Sequence, residues 1–418
     1  MLLLHSYLWW RLVRGTTVPG RVRRRLTVLT GVLLLSITLA VVLRGSLPLT
    51  VATPLDWVAY SWLGLAFYLF LAVLLTEPVR LAARLVRRPR RPARVEPAPV
   101  GAAPVETAPV EPAPVEAAPA APAPAGSSAV PDPGRRLFLA RTLAVGAGAV
   151  AVGTAGTGAV FANSAPVVRR IPIHIPRLDP ALAGLRIVTI SDGHLSATYG
   201  GRRFERVVEA VNAQRPDVVA IVGDLVDNSV EELREDVAPL ADLVSEQGVF
   251  FVTGNHEYFV DTGSWLRHLP TLGVQVLRNE RVAITRGGAS FDLAGIDDRT
   301  AAASGLPGHG ADLDAALDGR DDAVPVVLMA HQPVQVEQAR LAGVDLQLSG
   351  HTHGGQLWPF DYLVRLDQPV TEGWSQQGDT QLYVTTGAGY WGPPMRVGAR
   401  PEVTVIELQP GDPRRPAR

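Results

Sequence analysis

The second half of this 418-residue chain predicts a layered α/β or α+β domain, and the first half predicts a membrane region ahead of it. Three observations carry that reading. From Ile171 onward, short apolar runs alternate with longer amphipathic segments, as strands and helices packed in layers do. Five stretches rich in Asp, His and Asn each follow an apolar run, which places polar chemistry where strands end. Before residue 80, two apolar runs are each about as long as a bilayer-crossing helix.

Residues 1–91 form the predicted membrane region. Arg21, Arg23, Arg24 and Arg25 precede an apolar run over 26–43. A short segment with Pro48 and Pro54 leads into a second run over 57–75, with Trp57, Tyr60 and Trp62 near one end like an interfacial belt. Arg80, Arg84, Arg87, Arg88, Arg90 and Arg91 follow, and Arg44 is the only basic residue between the runs. The excess of Arg at the outer ends predicts a hairpin with both ends in the cytoplasm. A pair of buried core helices is the other reading, and it lacks amphipathic partner helices nearby.

Residues 92–134 repeat Ala-Pro-Val-Glu and cannot bury a core, so they are expected to be an extended linker. Residues 135–165 open with Arg135-Arg136 and continue through a Gly/Ala/Val-rich run. They read either as a twin-arginine-like export signal, with Asn163-Ser164-Ala165 as a weak cleavage site, or as a third span. Both readings send the following domain outside the cytoplasmic membrane.

Residues 166–418 hold that domain. An edge strand is expected at 171–175, then strand 186–190, helix 203–213, strand 218–222, helix 231–246 and strand 249–252. Phe204, Val207, Val208 and Val211 give the first helix one apolar face. Strands are expected at 274–277, 281–285 and 291–294. A helix at 334–342 lies between strands 326–330 and 345–348, and strands 381–385 and 402–408 close the chain. Roughly 240 residues suffice for a continuous core.

Composition narrows the chemistry. The chain has no Cys and no Lys, which excludes disulfides, thiolate metal sites and a Cys nucleophile. The net charge of −1 hides +12 over residues 1–170 (19 Arg, 7 acids) and −13 over residues 171–418 (20 Arg, 33 acids). A basic, apolar first half suits a membrane, and an acidic second half argues against nucleic acid as a partner. Cations must offset those carboxylates before a phosphate can approach.

The five stretches are Asp192-Gly193-His194, Gly223-Asp224, Gly254-Asn255-His256-Glu257, His331 and Gly350-His351-Thr352-His353, and they hold five of the nine histidines. Such a mixed set suits two divalent ions such as Mn²⁺, Fe or Zn²⁺ and is too rich in imidazole for Ca²⁺. The order of the five stretches resembles the calcineurin-like metallophosphoesterases. The block from Gly350 to Gln356 looks like the membrane-anchored or exported phosphohydrolases among them. The resemblance covers about residues 171–409 and says nothing of residues 1–170.

The resemblance implies a four-layer α/β/β/α sandwich with a two-metal site. Asp192, His194, Asp224 and His353 would hold one ion. Asp224, Asn255, His331 and His351 would hold the other, with Asp224 bridging. Asn255 adds a neutral oxygen, which limits negative charge where an anionic ester must bind. The implied reaction is hydrolysis of phosphate mono- or diesters by a metal-bridging water. His256 would protonate the leaving oxygen or stabilise the transition state. Asp227 would hold that histidine charged, unless it is a surface turn carboxylate beside Asn228. Glu257 would support the loop, and Gly193 stands where the family often has a larger residue.

Gly223 and Gly254 are expected to let the backbone turn sharply at strand ends. The late stretch from Gly387 to Pro394 resembles the family's last site loop, where Tyr390, Trp391 or Arg396 contacts substrate or forms a rigid turn with a surface aromatic. His174 reads as a strand surface residue, and His5, His268 and His309 lack partner motifs. The expected function is therefore a membrane-tethered, metal-dependent phosphohydrolase with an open site at the outer face. Its substrates could be phospholipid head groups, lipid-linked phosphates, wall polymers or nucleotides. A catalytically inactive metal-binding scaffold, an amide or ester hydrolase, and a hairpin that binds a membrane partner are the competing readings.

Overall fold

Val, Ile and Phe dominate the short runs of the second half, and the β-branched shape of Val and Ile favours strands. The computed structural model describes residues 1–86 and 133–411 and resolves these runs into two six-stranded sheets. The predicted linker falls, up to residue 132, outside the described residues. In chain order the second half begins with β1 (Val167–Ile175), β2 (Arg186–Ile190), α6 (Gly201–Asn212) and β3 (Val218–Val222). Next come α7 (Val230–Val237), β4 (Val249–Val252), α8 (Thr262–His268) and β5 (Val274–Val276). The second sheet uses β6 (Glu280–Arg286), β7 (Ala289–Gly295), β8 (Val326–Met329), β9 (Leu346–Ser349), β10 (Gly373–Gln377) and β11 (Thr380–Val384). Helices α9 (Leu313–Leu317) and α10 (Val336–Leu341) lie among them, and β12 (Glu402–Pro410) returns to the first sheet.

The first sheet runs β1-β12-β2-β3-β4-β5 and the second β10-β11-β9-β8-β7-β6. Alternation along β3 shows the layering. Val218, Ala220 and Val222 enter the core between the sheets, where they join Phe291, Leu293, Met329 and Leu348. Val219 and Ile221 face the other way, toward Phe204, Leu233 and Trp265 of α6, α7 and α8. On the far side, α9 and α10 cover the second sheet through Leu313, Ala316 and Ala339. This is the expected four-layer sandwich. Each fully buried Val or Leu side chain stabilises it by about 1.5–3 kcal/mol.

Strand direction positions the site. β2, β3, β4 and β5 are parallel, as are β7, β8, β9 and β11. The residues just past β2, β3 and β4 therefore come out side by side, and those past β8 and β9 do the same opposite them. The expected helix 231–246 is shorter: α7 stops at Val237 and one 3₁₀ turn, Ala238–Asp242, follows. Pro239 has no N–H to continue the helix. β10 was not expected, because Trp-Ser-Gln-Gln carries no apolar alternation; its ladder to β11 holds it.

The first half opens with α1 (Leu2–Leu8), extended by a π-helical turn to Arg14, which the sequence reading left unassigned. Then come α2 (Arg21–Val42), α3 (Leu49–Leu75), α4 (Glu77–Val86) and α5 (Pro133–Ala162). Among the described residues three helices are long and apolar enough to cross a membrane: Arg21–Val42, Leu49–Ala82 and Leu137–Ala162. Small residues let them approach closely, as membrane helices without a hydrophobic driving force require. Ala40 meets Ala59 between α2 and α3, and Ala66 meets Ala147 between α3 and α5.

These helices also seat against the sandwich. A Cβ on Gly64 of α3 would lie 2.5 Å from Met395 Sδ, and one on Gly158 of α5 would lie 2.6 Å from a Val397 methyl. The Arg396 N–H donates to the Gly158 carbonyl at 2.9 Å, and the Tyr68 hydroxyl donates to the Trp358 carbonyl at 3.1 Å.

Candidate metal centre

The ligand stretches leave their strands in a conformation that side chains other than Gly rarely adopt. Asp192, His194, Asp224, His351 and His353 all have φ between +46° and +71°. They are five of the eight non-glycine residues with positive φ among the described residues. Backbone strain of about 1–3 kcal/mol per residue persists where surrounding structure enforces it, and here it gathers at one place. Neighbouring ladders enforce it: Asp192 N–H donates to the Gly223 carbonyl (3.0 Å) and His194 N–H to the Asp224 carbonyl (3.1 Å). Gly254 turns out to serve by size rather than by turning the chain. Its φ is not positive, and a Cβ there would stand 2.2 Å from Asp224 Oδ1.

Three groups of ligand atoms lie close enough to hold an ion: Asp192–His194–His353, Asp224–His331–His351 and His194–Asp227–His256. In the first, His353 Nε2 lies 3.2 Å from Asp192 Oδ1 and 3.0 Å from His194 Nε2. In the second, Asp224 Oδ2 lies 3.1 Å from His331 Nε2 and reaches 3.9 Å from His194 Nε2, so this carboxylate stands between the first two groups. Outer contacts choose the tautomers. His331 Nδ1–H donates to the Val222 carbonyl (2.8 Å) and His194 Nδ1–H to Asp227 (3.1 Å), which leaves both Nε2 lone pairs for an ion.

Divalent cations fit this arrangement. Asn255 Oδ1 is buried with no hydrogen-bond partner. Burial and the beside-lying His331 push His351 down to about 4, and burial with Arg396 holds His353 well below its usual range. Both imidazoles are thus neutral, the form a cation needs. Burial and the nearby Asp224 charge raise Asp192, a cost that bound cations would remove. Two histidine nitrogens facing each other at 3.0 Å are also best reconciled by a cation that both can reach.

His256 stands outside the first two groups and joins His194 and Asp227 in the third. Its Nδ1 is 2.5 Å from Asp227 Oδ1, and its ring packs edge-on to His194 at 4.5 Å between centroids. Against its burial, Asp224 and Asp227 push it up to about 9. Asp227 is buried, not a surface turn carboxylate. Against its burial, His194 and His256 hold it well below the usual carboxylate range. Glu257 supports the loops, as expected: its carboxylate accepts the N–H groups of Asp224 (3.0 Å), Leu225 (2.8 Å) and Gly254 (2.7 Å).

The sequence profile of the calcineurin-like phosphoesterases matches residues 185–355. A transmembrane protein with metallophosphoesterase domain from Bos taurus is 41% identical over 288 residues, covering 66% of this chain and 64% of that protein. Its counterpart in Danio rerio is also 41% identical, covering 60% and 59%. An uncharacterized metallophosphoesterase of Helicobacter pylori is 37% identical over 280 residues, covering 66% of this chain and 73% of its own. The chain belongs to the calcineurin-like phosphoesterase family. It spans less than two thirds of the two vertebrate relatives' length.

In this metallophosphoesterase the last loop braces the site through Arg396 and Tyr390 and brings Trp391 to its edge. Arg396 is fully buried and donates to the carbonyls of Gly389 (2.9 Å), His353 (2.9 Å) and Thr386 (2.7 Å). Burial lowers its guanidinium to about 10, still charged at neutral pH. Tyr390 is buried as well, its hydroxyl donating to the Thr198 carbonyl at 2.6 Å. Neither is placed to touch substrate. Trp391 is half exposed, edge-on to His256 at 5.8 Å, and is the surface aromatic of a rigid turn. Replacing Arg396 by Met strands several buried carbonyls, at about 1–3 kcal/mol each. Urea unfolding of the Arg396→Met chain is expected to show a stability loss of about 3 kcal/mol or more.

The sequence reading missed Arg44 as a site residue. From the turn between α2 and α3, its Nη2 reaches 3.2 Å from Asp227 Oδ1 and 3.5 Å from His256 Nδ1. A lone cation between two apolar runs was the available signal. The site is accordingly partly roofed by the hairpin, not open as expected.

Proposed function

We propose that this chain hydrolyses phosphate esters at the outer face of a membrane, using two bound divalent cations. One observation carries the reading: the Asp192 and Asp224 ligand groups meet at Asp224 beside His256, which belongs to neither of these two and pairs with Asp227. Such cations, when bound, polarise phosphoryl oxygens and make a water acidic enough to act as a nucleophile near neutral pH. Hydrolysis joins the water oxygen to phosphorus and breaks the P–O ester bond, whose electron pair goes to the leaving oxygen. His256 gives that oxygen a proton from Nε2, because Nδ1 is held by Asp227. Asp227 orients the ring and keeps it charged, and Trp391 and Phe259 flank it.

The direction of the helices supports the sidedness. The catalytic half touches the Arg44 end of α2, opposite Arg21–Arg25, and Arg141 of α5 donates to the Thr16 carbonyl at that basic end. A retained anchor is supported by Ala162, which closes α5 inside the catalytic core.

Purified full-length chain, stripped of metal and given Mn²⁺ or Zn²⁺, is expected to hydrolyse a nitrophenyl phosphomonoester or a bis-nitrophenyl phosphodiester. Two ions bound per chain without turnover of either ester would sink the reading in favour of a scaffold. The chain has no cysteine, so sidedness can be read with single introduced ones. A membrane-impermeant maleimide on intact cells is expected to label Val244→Cys and spare Val22→Cys, both at exposed positions. The reverse pattern would place the site in the cytoplasm.

A further inference from the structure

We propose that the membrane hairpin completes the substrate site, and that the substrate is a lipid phosphate ester. Its phosphoryl group would sit at the metal centre on the Nε2 side of His256, with Arg44 at its edge, and its apolar chain would lie along α2 and α3. This deepens the phosphoesterase reading and rests on it.

Arg44 is the first support. An Arg at the end of a spanning helix can snorkel to water, yet this one points into the site, onto Asp227 and His256. Both contacts run through Nη2, which leaves Nη1 to donate a charge-assisted hydrogen bond to a phosphoryl oxygen. The sandwich around it is strongly acidic, so a cation supplied by the hairpin offsets charge the ester would otherwise meet.

The second support is the cavity Arg44 lines. Its hairpin wall is Leu43, Leu55 and Tyr60, and its sandwich wall is Thr198, Asn228 and Trp391. The hairpin wall is apolar around one carboxylate, Asp56, and the sandwich wall is mainly polar, which matches an amphiphile. The helices that form the apolar wall expose Val41, Val42 and Val58 on other faces, toward what would be hydrocarbon.

A third observation is independent of Arg44. Just past His353, the side chains of Trp358, Phe360, Tyr362, Leu363 and Leu366 are exposed together. Tyr68 of α3 ties this segment to the spanning helix through the Trp358 carbonyl. Exposed aromatic and aliphatic residues beside a span form a surface that enters the lipid interface. The centre therefore faces lipid on the side where its ligand loop ends.

The test uses the Mn²⁺-loaded full chain in detergent micelles. Dioleoyl forms of phosphatidic acid and phosphatidylglycerol are compared with their dibutyryl forms and with nitrophenyl esters. The wild type is expected to favour a dioleoyl substrate by about 10²-fold or more in kcat/KM, since each buried CH₂ contributes severalfold. Arg44→Gln is expected to lower kcat/KM on that lipid by about 10- to 100-fold, the loss of a charge-assisted contact, with partial recovery in Arg44→Lys. Native mass spectrometry of the same chains should show bound phosphatidic acid in the wild type and Arg44→Lys and its loss in Arg44→Gln. Equal rates on long and short chains, with nitrophenyl turnover intact, would overturn this inference alone. A long-chain preference untouched by Arg44→Gln would remove Arg44 from the site. Absence of turnover on every ester would instead overturn the phosphoesterase reading beneath it.

Discussion

Asp224→Asn is expected to cut phosphoesterase turnover by about 10³-fold or more, because several kcal/mol of charge stabilisation depend on the cations it helps to hold. The substitution keeps the shape of the side chain. Asn still offers an oxygen to the His256 N–H, now 2.8 Å from Asp224 Oδ1, and its own backbone N–H still meets Glu257. What it removes is the negative charge between the Asp192 and Asp224 ligand groups. Metal analysis should fall from two ions per chain to one or fewer. The rise in melting temperature on adding Mn²⁺ should shrink with it, since an ion at 1,000 times its Kd adds about 4 kcal/mol. Wild-type turnover with two ions retained in Asp224→Asn would refute the bridging role.

His256→Gln is expected to lower kcat by about 10²–10⁴-fold, the range for losing a general acid. Metal content should not change, because Nδ1 is engaged with Asp227 and the ring belongs to neither the Asp192 nor the Asp224 group. The decisive readout is the leaving group. An alkyl ester must take up a proton as it departs, whereas nitrophenolate leaves without one. The loss should therefore be much larger on alkyl esters. Equal losses on both would remove the proton-transfer role and leave His256 as a positioning group for the loop.

Much of the fold was legible because its cues are local. β3 and β4 were readable as runs of five and four apolar residues and β2 by Ile187, Val188 and Ile190, each followed at once by a ligand-bearing stretch. The cues failed where shape depends on a distant partner. β10 is polar and exists because β11 pairs with it. Helix α7 was drawn too long because its apolar spacing continues past Pro239, which ends it. The sequence left Arg396 open between a substrate contact and a brace of a rigid turn; the closing of that loop over His353 buries it and makes it the brace.

The chain's own pattern determined which residue types can form the centre, in what order, and that each follows a strand. It also determined that the first half holds helices apolar enough for a membrane. Only the tertiary structure decided which nitrogen of each histidine faces the ligands, and that Asp227 serves two histidines at once. It alone brought Arg44 to His256, 212 residues away, and His194 to His353, 159 residues away. Secondary structure follows from neighbours within a few residues, so sequence periodicity reports it. These contacts arise when separate layers pack against one another, and no pattern of spacing along the chain encodes which faces will meet.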